Sequence, residues 1–197
     1  MSRDIRGACA LYYSYQVRGA DGRIKVPFRR RTAHSFLQNY ITWLFLRMVG
    51  PTTQSLTDTG GASRTIHRNS LFDCNTAAGT STEGLVVGTG TNAVTISDTK
   101  LQTQIAHSTS AGTLDYGASV VNQPSSDSTS TTLILTRVFA NSSGGSITVT
   151  EIGIYASMGD AESSTSNRQL CIVRDLATIA LSNGDQLTLN YILKTTS

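Results

Sequence analysis

The chain has 197 residues, 39% of them hydrophobic and only 15% charged, with a formal net charge of +3. That length suits one domain with a real core, and a charged share below the roughly 25% of average soluble proteins leaves Ser, Thr, Gly and Asn to cover the surface. The mix favours β-structure with many turns, and a low-charge surface is easily buried against a neighbouring subunit.

Two further counts exclude chemistry. Cys9, Cys74 and Cys171 lie far apart with no CxxC spacing, which argues against a zinc site and reads as buried free thiols. The most apolar stretch, Phe36–Gly50, is interrupted by Gln38, Asn39 and Arg47 and is too short to cross a bilayer. The opening "MSRDIRGACALYY" lacks the apolar run of a signal peptide, so synthesis in a cytoplasm without the usual export is expected.

The first predicted element is a β-hairpin. Tyr12, Tyr13, Tyr15 and Val17 favour a strand, "GADGR" with Asp21-Gly22 at its centre supplies the turn, and Pro27 places the second strand at an edge or ends it there. Arg23, Lys25, Arg29, Arg30 and Arg31 fall within nine positions of this hairpin. The cluster reads as a solvated or salt-bridged face, with phosphate contact through Arg29, Arg30 and Arg31 as the sharper alternative.

A helix is predicted from Ala33 to Val49. Phe36, Leu37, Tyr40, Ile41, Leu44, Phe45 and Met48 recur at three- and four-residue steps, Trp43 widens the apolar surface, and Gly50-Pro51 stops it. So apolar a helix is either wrapped by its own domain or shared with another subunit. Residues 52–84 read as an irregular Gly/Ser/Thr-rich region with short strand-like pieces, in which His67 has no visible partner cluster.

Leu85-Val86-Val87 is a short buried strand, followed by a loop through "GTGTNAVTISD", and Ser97 or Asp98 is placed to cap a short helix through Gln104. "GTGTNA" lacks the Gly-Lys-Ser/Thr ending of a phosphate loop and the spacing of a dinucleotide site. After the polar connector Ser125–Thr132 comes "TTLILTRVFANSSGGSITVTEIGIYAS", which reads as a hairpin turning at Gly144-Gly145. Opposing Phe139 to Val149 sets Arg137 against Glu151, Leu135 against Gly153 and Leu133 against Tyr155. Such cross-strand pairs contribute roughly 0.2–1 kcal/mol each, and Gly153 leaves room for a ring or a backbone to approach. Glu151 as a general acid or base would need a second carboxylate, a His or a metal beside it, and Asp115, Asp127 and Asp160 show no recognisable spacing to it.

The last third reads as a strand, a break at Arg174-Asp175 and a closing hairpin. Ile179, Leu181, Leu187 and Leu189 share one face only if Leu181 stands opposite Leu187 across a three-residue loop, Asn183–Asp185. The total is a mainly β fold, a β-sandwich or jelly-roll-like domain with an N-terminal hairpin arm and one main α-helix. The stretches 1–50 (hairpin and helix), 51–84 (irregular) and 85–197 (sandwich core) pack as one domain.

These residues carry a resemblance. Gly88-x-Gly90-Thr91 with Asp98 and Leu101, then Arg137-x-Phe139-x-Asn141 leading to Ile147-x-Val149-x-Glu151-Ile152-Gly153-Ile154-Tyr155, then Arg174-Asp175, resemble a group of small virion proteins of tailed bacteriophages. The segment from His34 to Phe45 resembles the helix that precedes this core in them, so the similarity runs from about residue 34 to the end. It implies assembly in a phage particle formed in the bacterial cytoplasm, through contacts with itself and with other virion proteins. It brings no catalytic motif and no cofactor. A tail, neck, baseplate or fibre-attachment place is the first expectation and a capsid decoration or vertex place the second. A binding module is the rival class, for DNA through Arg29–Arg31 or for host glycans through Tyr116, Asn122 and Gln123. An enzyme is the third, with only His34, His67 and His107 as candidate bases.

Overall fold

Alternation decides most of the architecture. Leu187, Leu189 and Tyr191 are buried while Gln186, Thr188 and Asn190 point the other way, the period-2 pattern of a strand with one face on the core. The computed structural model describes residues 9–34, 36–48, 50–160 and 163–196, with the side chains of 160 and 163–167 outside that description. In chain order the elements are β1 (Cys9–Arg18), β2 (Ile24–Thr32), α1 (Gln38–Met48), β3 (Thr53–Thr57), β4 (Ser63–His67), β5 (Phe72–Asp73) and β6 (Gly84–Gly88). They continue with β7 (Asp115–Val121), β8 (Ser125–Ser126), β9 (Ser130–Ala140), β10 (Ile147–Asp160), β11 (Ser163–Leu181) and β12 (Gln186–Thr196).

The strands form two antiparallel sheets. The first runs β2-β1-β12-β9-β7, with β8 folded back on β9. The second runs β11-β10-β4-β3, and β6, β5 and β4 pair in succession along one edge of β10. Tyr15, Phe139 and Leu189 of the first sheet and Ile152, Val173 and Ile179 of the second belong to one core cluster, so the fold is a β-sandwich. The N-terminal hairpin is part of this body, because β1 lies between β2 and β12. As its Pro27 predicts, β2 is an edge, and Pro27-Phe28 bulge opposite Gln16. Its turn is a three-residue loop in which Gly22 takes φ 78°, a left-handed conformation that glycine adopts at no steric cost.

Four expectations are corrected. First, β9 and β10 do not pair: β9 bonds to β12 and β7, β10 to β11 and β6. The Gly144-Gly145 turn carries the chain from one sheet to the other, and Arg137 does not oppose Glu151. Second, β11 and β12 also lie in different sheets. The four leucine and isoleucine positions do face the core at 0–2% exposure, but across a corner, not a hairpin. Asn141 locks the two corners together: its side-chain amide donates to the Gly145 and Leu181 carbonyls, and its backbone bonds to Gly184 and Asp185. Third, no helix follows Asp98, because that segment is held open by side-chain bonds. Fourth, β11 runs unbroken through Arg174-Asp175.

The helix is also shorter than its periodicity suggests. It starts at Gln38, since the Leu37 amide bonds to Ile172 of β11 and the Gln38 amide to Ile96; the expected end, Val49, lies outside the described residues. Of the thiols Cys74 and Cys171 are buried, but Cys9 is exposed at the start of β1.

Candidate functional site

Gly88, Gly90, Asp98, Leu101, Glu151, Tyr155 and Arg174 come together in one buried polar clasp. On β10, Glu151, Gly153 and Tyr155 face the irregular segment from Gly88 to Gln104, while Ile154 faces the other sheet. The Glu151 carboxylate is fully buried. Its Oε1 accepts from the amides of Gly90 at 3.0 Å and Thr103 at 2.7 Å; its Oε2 accepts from the Gln102 amide at 2.9 Å and from Arg174 Nε at 3.0 Å. Tyr155 is buried beside it, and its hydroxyl accepts from the Leu101 amide at 2.7 Å.

This arrangement explains the glycines. A Cβ on Gly88 or on Gly90 would stand 2.5 Å from Glu151 Oε1, and one on Gly153 would stand 2.7 Å from the Val173 carbonyl. The segment approaches β10 so closely that only a hydrogen fits at Gly88 and Gly90, and at Gly153 it is the β11 backbone that leaves no room for a side chain. A chain that makes no ladder must satisfy its amides elsewhere, and Glu151 supplies what a neighbouring strand would.

Arg174 is the cation of the clasp, not Arg137. Besides Glu151 it reaches Asp98 Oδ2 at 2.7 Å and donates to the Asn92 carbonyl at 3.0 Å. Burial alone would raise the Asp98 carboxyl. The amide and hydroxyl of Thr95 and the Arg174 guanidinium outweigh it and hold Asp98 below its ordinary 3.8. A carboxyl whose pKa is lowered by folding stabilises the fold at pH above its unfolded value, and that contribution fades as pH falls through the folded one. Wild type is therefore expected to lose urea resistance more steeply than Asp98→Asn as pH falls below about 4. Parallel profiles of the two proteins would refute this role for Asp98.

Arg137 sits in a second buried nest. It has 0% exposure, and no carboxylate among the described residues forms a salt bridge with it. Instead it donates to the carbonyls of Gly117, Glu83, Leu85 and Thr80. Its guanidinium lies 4.7 Å from the Tyr116 ring centroid and 5.8 Å from that of Phe139. Burial presses its pKa down to about 10, against the opposing effects of Tyr116 and Glu83, which still leaves it charged at neutral pH.

A third buried charge anchors the chain ahead of α1. Asp175 is 1% exposed and accepts from the His34 amide at 2.5 Å and from the Tyr191 hydroxyl at 2.7 Å. His34 Nδ1 also lies 2.7 Å from it. Burial pushes the Asp175 carboxyl up, partly offset by these bonds.

The remaining sequence candidates are spread over the surface and the helix. Phe36 stacks on Tyr40 with centroids 3.9 Å apart, and Trp43 stacks on Phe72 at 4.1 Å. Phe45 points to solvent at 53% exposure. Arg30 lies over the Tyr12 ring, Arg31 lies over Tyr15 and donates to its hydroxyl, and Arg29 makes no ion pair among the described residues. Tyr116 is wholly buried and offers no glycan platform, although Asn122 and Gln123 are exposed. His67 accepts from the Asn69 amide, and no group of three or more potential metal ligands occurs among the described residues.

Sequence reasoning missed Arg174, Asp98 and Asp175 as partners. The signal was two adjacent opposite charges inside the apolar run "CIVRDLATIAL", which an exposed break does not require and a buried polar anchor does. Comparison of the chain with protein-family models, with curated proteins and with solved structures finds no match.

Proposed function

We propose that this chain is a non-enzymatic structural subunit of a tailed-bacteriophage particle, acting through symmetric self-assembly in the tail, neck or baseplate or at a fibre attachment. The observation that carries the reading is the outer face of α1. Ile41, Leu44, Phe45 and Met48 stand on one side of the helix at 53%, 37%, 53% and 72% exposure, a spacing that makes a continuous stripe. Residues 38–48 contain no acid, and their one base, Arg47, is turned onto the Arg68 carbonyl. Contiguous apolar patches of this kind mark interaction surfaces.

The clasp supports the structural part. Both oxygens of Glu151 are occupied by donors of the fold, which suits a carboxylate that holds a loop and not one that exchanges protons with a substrate. The phage assignment rests on the sequence resemblance, and a capsid decoration or vertex subunit is the second place it allows. A DNA-binding module has less support, since Arg30 and Arg31 are drawn onto tyrosines.

Light scattering followed by cryo-EM of the purified protein tests the reading. The wild type is expected to form a closed oligomer, and Phe45→Asp to shift it toward monomer with an unchanged circular dichroism spectrum and melting temperature. A wild type that stays monomeric throughout the micromolar range and binds DNA or glycan would replace this reading.

A further inference from the structure

The sandwich is open at one end. Between the sheets lies a cleft of about 290 Å³, walled by Leu133 and Tyr191 from one sheet and Ile154 and Ile172 from the other, with Asp73 also in its lining. An engineered apolar cavity of about 150 Å³ takes up benzene, so this cleft has room for an aromatic side chain and part of its backbone. Asp73 Oδ1 accepts from the amide and side chain of Asn75. No cation pairs with Asp73 among the described residues. The cleft therefore suits an apolar group with a positive charge next to it.

The chain carries such a group. Phe28 is 45% exposed on the edge strand β2, at the bulge beside Pro27, and bulges re-aim side chains. Arg29 follows it, exposed and without an ion-pair partner among the described residues. Pro27 has no N–H and the bulge breaks the ladder, so this edge is poorly suited to adding a strand from another chain. What it offers a neighbour is a side chain. Arg30 and Arg31 lie over tyrosines of β1, which leaves Arg29 as the available charge of the basic run.

We infer that Phe28 of one copy seats in the apolar cleft of the next, with Arg29 against Asp73. The inference rests on the self-assembly reading and names its contact. Knob and socket are different surfaces of one chain, so the contact is head-to-tail; such contacts close into rings or run into filaments. Tyr40 of α1 also lines the cleft, so a neighbour seated there borders the helix with the apolar outer face.

Two variants and their mixture test it, read by light scattering. Phe28→Asp removes the knob and keeps the socket; Leu133→Trp fills the socket and keeps the knob. Each alone is expected to be monomeric, and the 1:1 mixture is expected to form dimers and nothing larger. Should Leu133→Trp fail to fold, Asp73→Arg takes its place. Arg29→Asp and Asp73→Arg are each expected to weaken assembly at least tenfold, and one chain carrying both is expected to recover it. If the wild type assembles and the single variants assemble equally well, this contact is wrong while the assembly reading stands. A mixture that stays monomeric also overturns it. A wild type that never assembles removes the reading beneath it.

Discussion

Glu151→Ala is expected to cost the fold several kcal/mol and to release the segment from Gly88 to Gln104 from the sheet. Breaking a fully buried charge pair costs roughly 3–5 kcal/mol, because the survivor is left without its partner. Here the survivors are Arg174 Nε and the amides of Gly90, Gln102 and Thr103. Water reaches some of these once the segment lifts, which places the loss toward the lower end of that range but opens the loop. Glu151→Gln does not restore the site, since its NH₂ group would face donors on either side. Urea unfolding gives the stability change, and hydrogen exchange shows whether those three amides lose protection together. The exposed neighbour Thr148→Ala is the control, expected within about ±0.5 kcal/mol. In a double-mutant cycle, Glu151 and Arg174 are expected to couple by about 1 kcal/mol or more. A loss no larger than the control's, with the amides still protected, would show that the clasp does not hold the loop.

The contrast between Glu151 and its expected partner shows what the sequence carried. Alternation along β10 correctly separated Glu151, Gly153 and Tyr155 from Ile152 and Ile154, and parity correctly grouped Ile179, Leu181, Leu187 and Leu189 on the core. Both are local properties of a strand. Which strand lies beside which is not local. β9 and β10 are interior strands with neighbours on both edges and apolar residues on both faces, so a hairpin and a crossing between sheets leave the same pattern. The choice is made by Asn141, whose amide bonds tie the two corners, and a lone Asn ahead of Ser-Ser-Gly-Gly reads as an ordinary turn residue. The helix expected after Asp98 fails for a related reason. An Asp that caps a helix and an Asp that bonds a distant arginine look alike until Arg174 is placed. Pro27 was legible because its missing N–H constrains its own strand whatever lies around it.

Arg137 shows how backbone carbonyls hold a buried cation, and its replacement is expected to be the other severe change. Where a buried ion pair is exchanged whole for apolar residues, stability is often unchanged or improved, because both charges leave together. That route is closed here: the acceptors are four backbone carbonyls, and no substitution at 137 removes them. Arg137→Met relieves the desolvated charge but strands acceptors that cost about 1–3 kcal/mol each when left unsatisfied. Each carbonyl has a second lone pair, so the sum falls short of four full penalties, and a loss above about 3 kcal/mol is expected. Arg137→Lys keeps the charge and three donors but loses the planar fork and the stacking on Tyr116, and is expected to fall between the two. The damage should be directional. Gly117 lies in the bulge between β7 and β9, whereas Thr80, Glu83 and Leu85 belong to the approach to β6 and to β6 itself, in the other sheet. Arg137 thus fastens an edge of one sheet to the start of a strand in the second. Loss of amide protection in Arg137→Met should spread from residues 80–85 and from β7 before it reaches β1 or β12. Uniform loss across both sheets, or a methionine variant as stable as wild type, would contradict a clamp at this place and leave the guanidinium as a tolerated passenger of the core.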